Sequence, residues 1–551
     1  MGDSLGISNR GTKAKTITSC DNAFVTNILL ARDPGASNAS EAAHRTPPGS
    51  FALCESVASA TSAQSERKSI PRYGKKAIFF VKIIFFLPVG MRIATKKMYK
   101  ILNEKRLAFM TIQLKEELKT LDQKHFLHPT TSIEQQQTQG PAAIFTEGNG
   151  IYLKDIEGNI YIDGMSSLWN VNIGHGRKEI AEVAKEQIST LAFSSCFASF
   201  SNEPAIRLAT KIASLTPGDL NTVFFTSGGS ESNDTAIKLA RHYWLLKGQP
   251  DRQKIISRTH SYHGVAMGAT NATGLQAFRD FTNSHAPDFH YVYSESVRNL
   301  RETIETLGPE TVAAFISEPV QGAGGVNIPQ KDYFKEVRKI CDEYGILFIA
   351  DEVITGFGRT GKFFGMEHYE VVPDMMSFAK GVSSGYVQLG GVAISETIHQ
   401  DLCELSKGTL MHGYTYSGHA LACQVGLKNI EILEQENLVE NAANMGDAML
   451  EGFRALQEKY SFIGRVRTLG LLGAIELVKS RETGELFEYP LSPIFVQETM
   501  KRGLILRTVT YDQDTVVFSP PLILSKVELD EMLRILDETF EHIRKTIVEK
   551  Q

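Results

Sequence analysis

The sequence predicts an α/β protein: a largely parallel sheet with helices on both faces, followed by a smaller α+β unit. Three observations lead there. Short apolar runs such as "TVFFTSG", "KIISRT", "AAFISEP" and "GILFIADE" alternate with helical stretches such as "SNDTAIKLARHYWLL" and "DYFKEVRKICDEYG". Continuous apolar strands separated by helices mark a parallel sheet buried on both faces. After about residue 425 the pattern changes to a long helix, then "VRTLGLLGAIELV" as a strand, further helix and strand, and a terminal helix over Lys526–Ile547. The composition, 42% hydrophobic and 22% charged over 551 residues, is that of a globular chain with room for a large core.

The elements follow in order. Residues 1–76 are rich in Ser, Ala, Thr and Gly with no sustained apolar period, the pattern of a disordered segment. "AIFFVKIIFFLPVGM" (77–91) is apolar but interrupted by Lys82 and ended by Pro88, so it falls short of the ~20 residues that span a bilayer. Residues 1–109 carry 17 Lys+Arg against 7 Asp+Glu, although the whole chain is acidic at −5. A basic, Ser/Thr-rich extension suits an import peptide. It equally suits an upstream extension with no part in the fold, with Met91, Met98 and Met110 as alternative starts, and this second reading is preferred. Order is expected from about residue 110, beginning with helical Leu spacing over Leu114–Leu121. "GNGIYLKDIEGNIYIDG" (148–164) reads as a hairpin turning at Glu157-Gly158-Asn159.

Net charge offers nothing for nucleic acid, and no segment suits a membrane span. The six cysteines, Cys20, Cys54, Cys196, Cys341, Cys403 and Cys423, form neither a C-x-x-C pair nor a Cys/His zinc pattern. They suit a reducing compartment, and a cytoplasmic location is expected.

In open α/β sheets, ligands bind beyond the carboxyl ends of the strands. After "TVFF" comes Thr226-Ser227-Gly228-Gly229-Ser230-Glu231 and then a helix. Small residues at a helix N-terminus suit a phosphate, and they also suit an ordinary turn with Ser230 as N-cap. The G-K-[ST] ending of a nucleotide P-loop is absent. After "KIISRTH" comes Ser261-Tyr262-His263-Gly264, whose tyrosine could stack on a flat ligand or pack on its neighbours. After "AAFIS" comes Glu318, a carboxylate at the same edge or a solvated loop acid. After "GILFIA" comes Asp351, which ends a run that should be buried and so needs a cation or hydrogen bonds. Twenty-nine residues later stands Lys380, in "FAKGVSSGY". One edge would thus present a phosphate cradle, an aromatic ring, an acid and a lysine. Those are the parts that pyridoxal phosphate requires.

The motifs "SGGSESNDTAIKLAR", "SYHG", "EPVQGAGG", "ADEVITGFGRTG", "FAKGVSSGY" and "HGYTYSGH" resemble those of class III, fold type I pyridoxal-phosphate aminotransferases, the ω-amino acid:pyruvate group, over roughly residues 112–548. The resemblance implies a large domain with a mainly parallel seven-stranded sheet and a smaller domain built from both ends of the ordered chain. Its boundaries would be 1–109 extension, 110–170 small domain, 171–425 large cofactor-binding domain and 426–551 small domain. It further implies that Lys380 holds the cofactor through a Schiff base and that Asp351 pairs with the pyridine nitrogen. Tyr262 and Val353 would flank the ring, Gly229 and Ser230 would bind the phosphate, and Glu318 would lie close by. Thr415 would reach the phosphate of a second subunit, so a homodimer with shared sites is expected. Trp169, in "SSLWNVNIGHG", would line the substrate pocket, and Arg507, in "LILRTV", would bind the acceptor's carboxylate. A guanidinium suits that role by its fork geometry. The implied reaction moves an amino group from an amine or ω-amino acid to a keto acid, with pyruvate preferred. A lyase, decarboxylase, racemase or mutase on the same scaffold is the alternative, and a non-catalytic relic is disfavoured by the intact Lys380, Asp351 and phosphate turn.

Overall fold

The computed structural model describes residues 110–282 and 286–548, so the expectations for residues 1–109 lie outside the described residues. The first described segment, 110–125, is helical, as the leucine spacing predicts. Three strands follow: β1 (Phe145–Asn149), β2 (Tyr152–Asp155) and β3 (Ile160–Asp163). β2 and β3 form the expected hairpin, with Tyr152 opposite Ile162. Asp155 closes its turn by accepting the amides of Glu157 and Asn159 through Oδ1, both at 2.9 Å.

The next seven strands make the large sheet. They are β4 (Thr222–Thr226), β5 (Lys254–Arg258), β6 (Phe289–Val292), β7 (Val312–Ser317), β8 (Leu347–Asp351), β9 (Met375–Phe378) and β10 (Gly390–Ile394). Their spatial order is β4-β10-β9-β8-β7-β5-β6, and β10 alone runs against the others. The four apolar runs singled out in the sequence are β4, β5, β7 and β8. Period-two alternation sends Phe315, Phe348, Met376 and Phe378 to one face, with Phe334, Val337 and Ile340 of the Tyr333–Tyr344 helix. It sends Ile316, Ile349, Met375 and Val392 to the other, against Ala236, Ile237 and Ala240 of the Gly229–Leu246 helix. Each such large side chain stabilises the fold by about 1.5–3 kcal/mol on burial, so a two-faced sheet of this size is self-supporting.

The C-terminal part departs from the sequence reading in two places. The long helix expected after residue 425 is two helices, Ala420–Gln435 and Leu438–Lys459, broken where Asn437 takes φ +52°. "VRTLGLLGAIELV" is not one strand but a hairpin of β11 (Ile463–Leu469) and β12 (Leu472–Leu477). Its tip holds Gly470 at φ +53°, where a Cβ would lie 2.3 Å from the carbonyl carbon of Thr360. Only glycine allows that backbone approach. The last strands are β13 (Leu504–Ile505), β14 (Arg507–Val509) and β15 (Thr515–Phe518), and the terminal helix is Lys526–Thr546. β13 joins β1, β2 and β3 in a sheet made from both ends of the described chain, pairing parallel to β3. β14 extends the sheet β11-β12-β15-β14. The adjacency of β3 and β13 sets the Trp169 segment beside Arg507.

Candidate active site

The site grows from the carboxyl edge of the large sheet. After β4 the chain makes the Thr226–Gly228 turn and enters the Gly229–Leu246 helix, whose N-cap is Gly228 and has no side-chain cap. Ser230 is therefore not the cap. It lies in the first turn, and its Oγ accepts the amide of Val265 at 3.0 Å. A Cβ at Gly229 would fall 2.7 Å from Val353 Cγ1, so this turn and the loop after β8 touch. Ser232 Oγ donates to the carbonyl of Phe378 at 3.1 Å and fastens the same helix to the strand preceding Lys380. The uncapped amides leave the helix N-terminus electropositive and open to an anion.

Asp351 ends β8 and is 3% exposed. Its Oδ2 accepts Asn233 Nδ2 at 2.7 Å and pairs with His263 Nδ1 at 2.7 Å, while Oδ1 accepts the amide of Val353 at 3.0 Å. Hydrogen bonds thus answer the question raised by a buried acid. Asn233 and His263, both inside the quoted motifs, are site residues that the sequence reading did not single out. His263 Nε2 and Asn233 Oδ1 are buried and have no hydrogen-bond partner among the described residues. Glu352 points elsewhere: its carboxylate accepts the amides of Gly365 and Met366 at 2.8 Å and the hydroxyl of Thr355, holding the following loop.

Glu318 follows β7, buried, and accepts the amides of Tyr262 at 3.0 Å and Gly322 at 3.2 Å. Burial pushes its carboxyl up to about 7; His263 opposes that shift and Asp351 adds to it. Tyr262 packs edge-on against Phe278 and its phenol is raised by burial, with the charge of Arg507 opposing. Lys380 follows β9 at φ +48°. It is partly open to the cleft, yet desolvation lowers its ammonium to about 8 against the pull of Asp351 and Glu318, and Arg507 adds to the lowering. A lysine so lowered has a far larger neutral fraction near physiological pH than an ordinary lysine, and is half neutral near pH 8.

The opposite wall comes from the chain ends. Trp169 is 4% exposed, and its indole lies 6.0 Å from Lys380 Nζ and 5.0 Å from Arg507 Cζ, measured to the ring centre. Its Nε1 is buried without a hydrogen-bond partner among the described residues. The guanidinium of Arg507 is lowered by desolvation, with Tyr262 opposing. The segment leading to Trp169 bends sharply, with positive φ at Ser166, Ser167 and Trp169. Each such non-glycine residue costs about 1–3 kcal/mol and persists only where its surroundings hold it.

The structure thus brings together Lys380, Asp351, Glu318, Tyr262, Trp169 and Arg507, with Gly229, Ser230 and Val353 at the adjoining turn. Thr415 is not among the groups that meet around Lys380. It is exposed, on a segment whose neighbours His412 and Tyr414 contact Thr235 and the carbonyl of Glu231. Among the described residues there is no His/Cys/Asp/Glu cluster able to hold a metal.

A lowered lysine facing a buried carboxylate at a sheet edge defines a site for covalent amine–carbonyl chemistry. Comparisons with known proteins give it a family. Residues 133–540 match the model of the class III aminotransferases. A putrescine–pyruvate aminotransferase of Pseudomonas aeruginosa is 37% identical over 446 residues, which cover 77% of this chain and 96% of that one. Among solved structures, a transaminase from the marine bacterium Virgibacillus is 51% identical with a TM-score of 0.78, covering 78% of this chain and all of the other. An (S)-enantioselective ω-transaminase from Thermomicrobium roseum is 44% identical with a TM-score of 0.75, covering 78% and 98%. This chain belongs to the class III aminotransferases.

Proposed function

We propose that this aminotransferase uses pyridoxal phosphate bound at Lys380 to move the amino group of a primary amine or ω-amino acid to pyruvate. The observation that carries this reading is the position of Lys380, a desolvated amine between the edge acids Asp351 and Glu318 on one side and Trp169 with Arg507 on the other. The residues present fit the cofactor. Asp351 Oδ1 accepts one donor among the described residues, the Val353 amide; the uncapped helix start at Gly229 and Ser230 suits a phosphate; and Tyr262 and Val353 offer flat and branched apolar surfaces for a ring.

Bound there, pyridoxal phosphate supplies a carbonyl for the amine and a cationic ring that draws electron density from the breaking C–H bond. The chain supplies the rest. Lys380 Nζ, whose lowering to about 8 raises its neutral fraction, would accept the proton from the donor carbon and return it on the other side of the amine nitrogen. Asp351, fixed by Asn233 and His263, would offer its carboxylate to the ring nitrogen. Arg507 binds the carboxylate of the keto acid, and the Trp169 indole excludes water from the reacting face.

Several features support active sites shared in a homodimer. Thr415 is exposed, as a residue reserved for a second subunit's phosphate would be. Phe200, Ile206, Met411 and Tyr416 are also exposed, at 70%, 57%, 91% and 57%. The domain division at 110–170, 171–425 and 426–551 belongs to the same reading, supported by the sheet that joins β1–β3 to β13. A cytoplasmic location agrees with the cysteines of the described residues, Cys196, Cys341, Cys403 and Cys423, being free thiols. The related names favour diamine and ω-amino acid donors: besides the putrescine enzyme, a rice mitochondrial γ-aminobutyrate transaminase is 35% identical over 75% of this chain.

The test is amino transfer from putrescine, β-alanine and γ-aminobutyrate to pyruvate by the wild-type chain. Turnover that needs stoichiometric keto acid supports transamination. Consumption of amine without keto acid would instead mark a lyase or decarboxylase.

A further inference from the structure

The wall that carries Trp169 is bent into a conformation its residues disfavour, so something must hold it. Asp163, the last residue of β3, is fully buried. Its carboxylate accepts the amide of Ser167 at 2.9 Å and 2.7 Å through its two oxygens, the hydroxyl of Ser167 at 3.3 Å and the amide of Met165 at 3.3 Å. His175 Nε2 sits 2.8 Å from Oδ2 and fixes the carboxylate from behind. The acid thus takes up the Ser167 amide inside the bent stretch, where Ser166 and Ser167 have φ of +45° and +57°.

A second anchor acts one residue earlier. Ser166 Oγ donates to the carbonyl of Ser519 at 2.7 Å and accepts Arg359 Nη2 at 3.0 Å. Arg359 is fully buried, and its Nη1 and Nη2 also donate to the carbonyls of Leu471 and Pro520 and to Asn172 Oδ1. Among the described residues, Asp163 is the one charged side chain that accepts directly from the bent turn itself, and Trp169 follows two residues after its main contact, Ser167.

We propose that Asp163 is a positioning residue for substrate binding: by holding the Ser166–Trp169 turn it keeps the indole between Lys380 and Arg507, and so shapes the pocket for both amine and keto acid. Asp163 touches neither Lys380 nor Arg507 and acts through Trp169. The inference rests on the proposed transamination for its kinetic reading alone, because the position of Trp169 can be observed without substrate.

The sequence has two tryptophans, Trp169 and Trp244. The difference in fluorescence between each chain and its Trp169→Ala counterpart therefore isolates Trp169. Asp163→Asn replaces one acceptor oxygen by a donor that repels the Ser167 amide. The expected result is a folded chain that still binds pyridoxal phosphate, with Trp169 emission red-shifted and more readily quenched by acrylamide. KM for amine and for pyruvate should rise about 10-fold, as for loss of one hydrogen bond to a charged group, with kcat changed much less. In the Trp169→Ala background, Asp163→Asn should add almost nothing, since the two changes act through one side chain. His175→Gln is the milder companion should Asp163→Asn fail to fold, and it should move emission and KM in the same sense. A folded Asp163→Asn chain, or in its absence a folded His175→Gln chain, with wild-type Trp169 emission and wild-type KM would overturn the proposal. So would kinetic effects that add in full on Trp169→Ala. Failure of the wild-type chain to transaminate would defeat the proposed function and leave the fluorescence result standing.

Discussion

In the cradle around Lys380, each polar group stands just beyond the carboxyl end of a strand of one sheet: Gly229 and Ser230 after β4, Tyr262 after β5, Glu318 after β7, Asp351 at the end of β8 and Lys380 after β9. The facing wall is put together differently. Trp169 reaches the cleft on a turn with three disfavoured backbone conformations, and Arg507 arrives from a strand more than 300 residues away in sequence. The cradle is held by a buried sheet whose register leaves little freedom. The wall is held by a few polar anchors from distant segments. Substitutions in the cradle should therefore abolish chemistry, whereas substitutions in the wall should retune binding and selectivity.

The largest effect is expected from Lys380→Ala. Alanine carries the same Cβ at φ +48°, so the chain should fold with little change in melting temperature while amino transfer falls to background. Substantial retained turnover would break the assignment of the cradle. Asp351→Asn keeps the shape and removes the charge. The half-reaction with amine should slow by about 100-fold or more, in the range seen when a preorganised electrostatic group is removed from a reacting centre. A rate near wild type would show that the carboxylate does not act on the ring.

Arg507→Leu tests the wall. KM for pyruvate should rise about 10- to 100-fold as a charge-assisted pair is lost, while reaction with a simple amine lacking a carboxylate stays close to wild type. An equal loss for both substrates would mean that Arg507 supports the fold of the site and does not recognise carboxylate. Thr415→Ala should be milder still, weakening cofactor retention about 10-fold at most with the oligomer intact, as one hydrogen bond to a phosphate would.

The pH dependence separates the two regions without a mutation. Desolvation lowers Lys380 to about 8 from an ordinary 10.5, so the neutral, nucleophilic amine accumulates as pH rises through 8. The rate at which the cofactor-free chain takes up pyridoxal phosphate covalently should rise with pH and reach half its maximum near 8. Arg507→Leu removes one of the charges that lower Lys380, so the midpoint should move upward in that variant. A midpoint near 10.5 in the wild-type chain would show that the amine is solvated.

The same contrast explains what the sequence made legible. Strand-end residues lie next to apolar runs that can be read directly, so Asp351, Glu318, Tyr262 and Lys380 could each be picked out, and their common edge followed from the rule for parallel sheets. Asn233 and His263 escaped notice because their contacts to Asp351 span 118 and 88 residues, with no local signal to announce them. Asp163 was hidden as the polar end of an ordinary hairpin strand. The break at Asn437 and the hairpin tip at Gly470 were missed because helical period and strand propensity continue across both. Only the tertiary approach of Gly470 to Thr360 requires the turn. A residue such as Trp169 could be located by motif, but the force that fixes it lies in backbone geometry that no periodicity records.

The measurement that tests the central claim most directly is the visible absorption of the purified wild-type chain. It should be followed as an amine donor is added without keto acid, and then as pyruvate is added. The account predicts a long-wavelength cofactor band that fades with the donor and returns with pyruvate, and that is missing in Lys380→Ala at equal cofactor concentration. A band that no amine alters and pyruvate does not affect would contradict amino transfer at this site.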